Sequence, residues 1–121
     1  MTSLNLLSSK PIPPAERLIF ALDVPSPTTA RQLVETLGDA VRFYKIGLEL
    51  FMAGGYFELI EWLRARDKKV FVDLKFFDVP ETVRSAVRQL QPYGATFATV
   101  HGNDAILRAA VEAAGEAGHG L

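Results

Sequence analysis

One pattern, repeated four times, constrains this chain more than any other feature: an apolar run of strand length, a short turn, then a segment with helical periodicity. From Arg17, RLIFALDV leads through Pro25-Ser26-Pro27-Thr28 into a helical stretch with Leu33, Val34, Leu37 and Val41 on one face. FYKIGLEL reads as the second strand, followed by Gly54-Gly55 and a helix carrying Phe57, Leu59, Ile60 and Leu63. KKVFVDLK leads through Asp78-Val79-Pro80 into a helix with Val83, Val87 and Leu90. GATFATVHG leads through Asn103-Asp104 into DAILRAAVEAAGEAG, where alanine favours helix. Strands separated by helices pair in parallel, because a parallel neighbour needs a crossover.

Units spaced about 25 to 30 residues apart match the rhythm of a (βα)8 barrel, which needs about 250 residues. The 121 residues hold four such units. The expected fold is therefore α/β: the first four βα units of a TIM barrel, a half-barrel with a parallel four-stranded sheet, stopping at Leu121 where a fifth strand would be expected. An open four-stranded α/β sheet closed by helices is the alternative that pattern alone leaves standing. A half-barrel leaves its first and fourth strands with unpaired edges that invite association with another chain.

Length allows one modest domain with a core. Pro11, Pro13 and Pro14 disfavour regular structure near the start, so residues 1–15 are expected to form a flexible arm and residues 16–121 the folded unit. A formal charge of −1 with scattered Lys and Arg offers no basic face to nucleic acid or to an anionic membrane. The chain has no cysteine, which excludes disulfides, thiolate metal sites and thiol nucleophiles and is compatible with a cytoplasmic location. MTSLNLLSSKPIPPAER lacks the marks of a signal peptide, and no apolar run approaches the ~20 residues of a membrane-spanning helix.

Charges interrupt this apolar grammar at particular places. Residues two apart in a strand share a face, so Asp73 and Lys75 are expected on one face of the third strand, with Val70, Val72 and Leu74 on the other. Asp23 falls near the end of the first strand, opposite to Phe20, Leu22 and Val24, and Lys45 lies on the second, opposite to Tyr44, Ile46 and Leu48. All four can face inward near the C-terminal strand ends, where parallel α/β proteins bind ligands. Each alone has a structural alternative: a turn-supporting Asp23, a Lys45 that snorkels to the rim, a structural Asp73–Lys75 ion pair. Together they favour a site, since structural charges have no reason to gather at one depth.

Asp78, just before Pro80, has a turn or capping alternative, and Thr82 could be a first-turn residue without a ligand. His101 reads more readily as a packed, hydrogen-bonded strand-end residue than as a catalyst, and His119 as an exposed residue of a Gly-rich tail. Glu49 and Glu81 read as solvated. No His, Asp and Glu cluster has metal-ligand spacing, and no phosphate-loop pattern occurs.

Asp73-Leu74-Lys75-Phe76-Phe77-Asp78-Val79-Pro80-Glu81-Thr82 resembles the D-x-K-x-x-D-[IV]-P-x-T signature of the orotidine 5′-phosphate decarboxylase family. Leu22-Asp23, Tyr44-Lys45-Ile46-Gly47-Leu48-Glu49-Leu50-Phe51 and Val100-His101-Gly102 add to the resemblance, which runs from about Arg17 onward and covers about half of the family's barrel. It implies a cofactor-free, metal-free decarboxylation of orotidine 5′-phosphate to UMP and CO2 in pyrimidine biosynthesis. By the same resemblance Asp23 and Lys45 would bind the ribose and join the charged network, Asp73 would sit beside the substrate carboxylate, and Lys75 would protonate C6. Asp78 and Thr82 would reach across a homodimer interface into the partner's site. The pyrimidine-closing loop and the phosphate-gripping arginines belong to the family's second half. The nearest rival in the superfamily is the magnesium-dependent sugar-phosphate group, such as hexulose-phosphate synthase, which shares D-x-K-x-x-D. Those enzymes place an acidic residue at the position of Lys45 and lack the Val79-Pro80 step. A reading of another class is a non-catalytic half-barrel that self-associates.

Overall fold

Each crossover begins with local chemistry that stops a strand and starts a helix. In the computed structural model, which describes residues 10–116, Ser26 accepts a hydrogen bond from the Thr29 N–H at 3.1 Å, capping helix α1 (Pro27–Leu37), whose first residue is a proline with its φ already suited to a helix. Asn103 plays the same part for helix α5 (Asp104–Glu116), accepting from the Ile106 N–H at 3.1 Å. β1 (Phe20–Ala21) precedes α1, and between α1 and α5 lie β2 (Phe43–Gly47), α2 (Leu48–Ala53), α3 (Tyr56–Ala65), β3 (Lys69–Phe76), α4 (Pro80–Leu90) and β4 (Phe97–Val100).

The four strands pair in parallel in the order β1-β2-β3-β4, leaving β1 and β4 as edges. This is the sheet of four successive βα units expected from the sequence. Leu22, Tyr44, Ile46, Val70 and Val72 are buried on the helix-facing side against Ala30, Val34, Leu59, Ile60 and Leu63. A second cluster joins Val83 and Val87 of α4 to Ile106, Ala110 and Ala113 of α5. The alanines let these two helices approach closely, and exposed pairs such as Arg84–Glu112 at 2.7 Å border the contact. Such surface pairs contribute little, so the alanine packing dominates.

Three local expectations need correction. FYKIGLEL is not one strand: β2 ends at Gly47 and Leu48-Glu49-Leu50 open α2, which buries Leu50 and leaves Leu48 53% exposed. Gly47 lies so close to β3 that a Cβ there would meet the Asp73 carbonyl at 3.3 Å, and the LELFMA segment that follows is rich in good helix formers. Val41 is buried but lies past α1, beyond the turn Gly38–Ala40. In α3 the innermost aromatic is Tyr56, while Phe57 sits at the rim, 4.8 Å from the Tyr93 ring.

Of the arm expected over residues 1–15, residues 1–9 lie outside the described part, as does His119. Arg17 Nε donates to the Ile12 carbonyl at 3.1 Å, and Lys69 pairs with Glu16 at 3.1 Å beneath the sheet. Among the described residues no helix is long and apolar enough to cross a membrane.

Candidate active site

The inner face of the sheet changes character along the strands. Phe43, Phe71 and Phe97, on β2, β3 and β4, pack into an aromatic floor, with ring centroids 5.5 Å apart for the tilted Phe43–Phe97 pair and 5.8 Å for the edge-to-face Phe71–Phe97 pair. Two residues further along the same strands stand Lys45, Asp73 and Thr99. The alternation that sends apolar side chains to the helices thus sends these three inward, above an apolar base.

Asp73 is the centre. Its carboxylate accepts hydrogen bonds from Lys75 Nζ at 3.0 and 3.1 Å and from Thr99 Oγ1 at 2.8 Å, and Lys45 Nζ stands 3.7 Å away. The Asp73 side chain is 13% exposed, against 28% for Lys45 and 51% for Lys75. Burial pushes the Asp73 carboxyl up, but the hydrogen bonds from Thr99 and Lys75 and the charges of Lys75 and Lys45 outweigh it and hold the group below the usual carboxylate range. Behind the site Tyr56 donates its buried hydroxyl to the Ile46 carbonyl at 2.8 Å. Burial, and then the negative charge of Asp73, push that phenol above its ordinary value.

Asp73 and Lys75 meet as expected, but not through plain strand alternation. From the Val72↔Ala98 pair to the Phe76↔Val100 pair, β3 takes four steps and β4 two, so β3 bulges across Asp73–Lys75. Lys75 carries the bulge at φ +51°, a conformation costly for a residue with a side chain. The backbone strain re-aims the ammonium onto Asp73.

Thr99 is the member of the site that sequence reasoning missed. Besides donating to Asp73, its hydroxyl accepts a hydrogen bond from the Lys75 N–H at 2.9 Å. Threonine in a strand reads as a β-former, but its parity with Phe97 was the available signal.

The remaining candidates take no part in the hydrogen bonds and ion pairs of this cluster among the described residues. Asp23 is exposed just beyond β1 and takes part in no ion pair among the described residues. Asp78 is exposed and accepts from the Val79 N–H at 2.7 Å, while Thr82 is exposed in the first turn of α4. Asp78 and Thr82 line a shallow depression with Lys75, Phe77 and Val83. His101 is exposed rather than packed, and Glu81 is paired, with Arg84 Nε at 3.4 Å. Among the described residues no group of three or more His, Cys, Asp or Glu could hold a metal ion.

Residues 16–121 match the family described as "Orotidine 5'-phosphate decarboxylase / HUMPS family". The chain belongs to this family. An orotidine 5′-phosphate decarboxylase of Methylococcus capsulatus is 65% identical over 114 residues, covering 94% of this chain and 47% of the relative. One from Xanthomonas axonopodis pv. citri is 52% identical over 116 residues, with 94% and 46% covered. Among solved structures, the orotidine 5′-phosphate decarboxylase of Lactobacillus acidophilus superposes with a TM-score of 0.74 at 34% identity, covering 81% of this chain and 45% of its own. The Methanocaldococcus jannaschii orotidine 5′-monophosphate decarboxylase, solved with the inhibitor BMP, gives 0.76 at 28% identity, with 86% and 49% covered. The chain spans about half the length of the curated relatives it matches, and its four βα units correspond to about half of a decarboxylase barrel.

The depressed Asp73 carboxyl has a consequence for stability. Because it titrates below its unfolded value of about 4, ionised Asp73 contributes stability that is fully present above that pH and lost as pH falls through the folded value. Asp73→Asn removes that contribution. Urea denaturation at steps from about pH 6 to about pH 2 should therefore show a shallower loss of stability on acidification in the variant than in the parent. Equal acid slopes would contradict the assignment.

Proposed function

We propose that these four βα units supply the charged half of an orotidine 5′-phosphate decarboxylase active site, converting orotidine 5′-phosphate to UMP and CO2. The observation that carries this reading is the Asp73 carboxylate held between two ammonium groups on a strained bulge at the C-terminal end of a parallel sheet. In the reaction the bond from C6 to the carboxylate carbon breaks, CO2 departs, and the electron pair stays on C6. The pyrimidine offers that pair little delocalisation, so preorganised positive charge and an acid must be supplied by the protein. Lys75 gives a proton from Nζ to C6 and recovers one from solvent. Asp73, beside the substrate carboxylate, fixes Lys75 in place, and Lys45 holds the far side of Asp73. The stabilisation is largest where the charge develops, which is what raises kcat.

Asp23 and Lys45 would contact the ribose. Asp78 and Thr82 would serve the site of a second copy in a homodimer. Supporting this is the exposure of Phe77 and Val79, at 71% and 61%, on either side of Asp78, apolar surface of the kind chain–chain contacts cover. A cytoplasmic setting fits the absence of cysteine.

The sugar-phosphate rival needs magnesium. Two ammonium groups within 3.7 Å of Asp73 oppose a divalent cation at that carboxylate. The test is a hybrid that joins residues 1–121 to the second half of the M. capsulatus relative, assayed for UMP from orotidine 5′-phosphate with and without EDTA. Turnover indifferent to EDTA is expected. Turnover that EDTA abolishes and magnesium restores would favour the rival instead.

A further inference from the structure

We propose that Thr99 is a positioning residue for the reaction: its single hydroxyl sets the backbone of Lys75 and the carboxylate of Asp73 in one fixed relation, and so aims the Lys75 ammonium. The catalytic part of this inference rests on the decarboxylase reading above; the structural part does not.

The bulge creates the need. Where β3 takes four steps against two on β4, ladder pairing lapses, and the Lys75 N–H is left to find a partner outside the regular strand pattern. Thr99 Oγ1 supplies it at 2.9 Å. The same oxygen lies 2.8 Å from Asp73 Oδ1, and an ionised carboxylate can only accept, so the hydroxyl proton points to Asp73 and a lone pair to the Lys75 N–H. The hydroxyl's one proton and one of its two lone pairs are therefore committed in a defined direction. Its proton is not available to substrate, so Thr99 acts through Asp73 and Lys75 rather than on the reacting atoms.

A second consequence concerns strain. Lys75 at φ +51° persists only if its surroundings fix it. Two bonds do so from opposite ends of the residue: Thr99 on the backbone N–H, and Asp73 on Nζ at 3.0 Å. Thr99 touches both ends of that loop, since it also binds Asp73. Valine keeps the β-branched shape and loses both bonds; serine keeps the hydroxyl and loses a methyl group.

Thr99→Val and Thr99→Ser are compared by amide hydrogen exchange in the 121-residue chain and by kcat and KM in the hybrid barrel. In the valine variant the Lys75 N–H should exchange at least ~10-fold faster, with Phe71 and Val72 unchanged. The hybrid's kcat should fall ~10- to 100-fold with KM little altered, the signature of a misplaced reacting group. Serine should restore both. Slow exchange at Lys75 in the valine variant, or a serine variant as impaired as valine, would overturn the proposal. If the valine variant does not fold, the unaltered chain still decides, because a Lys75 N–H that exchanges freely there refutes the bridge. A hybrid without turnover in any form would count against the decarboxylase reading alone, and the exchange result would stand by itself.

Discussion

Replacing Lys75 with alanine in the hybrid barrel is expected to lower kcat by at least ~10³-fold, with KM changing far less. Two effects are lost together. On the proposed decarboxylase reading, the acid that would deliver a proton to C6 disappears, and so does the positive charge that would stand nearest the developing carbanion. Neither acts strongly on the ground-state substrate, so the loss falls on the transition state. Folding should be spared, because the Lys75 side chain is half exposed. Arginine should not rescue the variant: its planar fork matches a carboxylate but cannot place one compact ammonium against both Asp73 and C6.

The second large effect concerns the four units without the rest of a barrel. The 121-residue chain alone is expected to fall short of the hybrid by at least ~10⁴-fold in kcat/KM, measured by loss of orotidine 5′-phosphate absorbance. In TIM barrels phosphate is typically held after strands seven and eight, and these four units carry nothing in that position. Phosphate binding energy is what organises the reacting end, so kcat suffers as well as KM. Water adds to the deficit. With Lys75 51% exposed on an open sheet, each charge acts through a higher dielectric than it would inside a closed barrel. Robust turnover by this chain alone, lost in Lys75→Ala, would contradict the expectation.

Much of this was legible because the fold and the site use one rule. Period-two alternation sent Val70 and Val72 to the helices and Asp73 inward, and the same count placed Lys45 opposite Tyr44 and Ile46. What stayed hidden is where backbone and side chain trade roles. Nothing in DLKFF announces a bulge at Lys75, because its cause is a register change against β4, a non-local fact. Thr99 stayed hidden for a related reason: its function depends on that bulge. Leu48-Glu49-Leu50 misled because an alternating apolar pattern fits a strand as well as a short helix turn, and the decision came from Gly47 packing against Asp73. Lys68 has a role that its place at the start of KKVFVDLK does not announce: it is 7% exposed and donates to the Gly38 and Val41 carbonyls at 2.7 and 3.0 Å, closing the end of α1.

The most direct measurement is the time course of orotidine 5′-phosphate absorbance with the hybrid barrel and its Lys75→Ala counterpart side by side, both shown to be folded. The network centred on Asp73 predicts steady loss of substrate in the first and a flat trace in the second over the same period. Equal rates in the two, or a folded hybrid that leaves the substrate untouched, would contradict it.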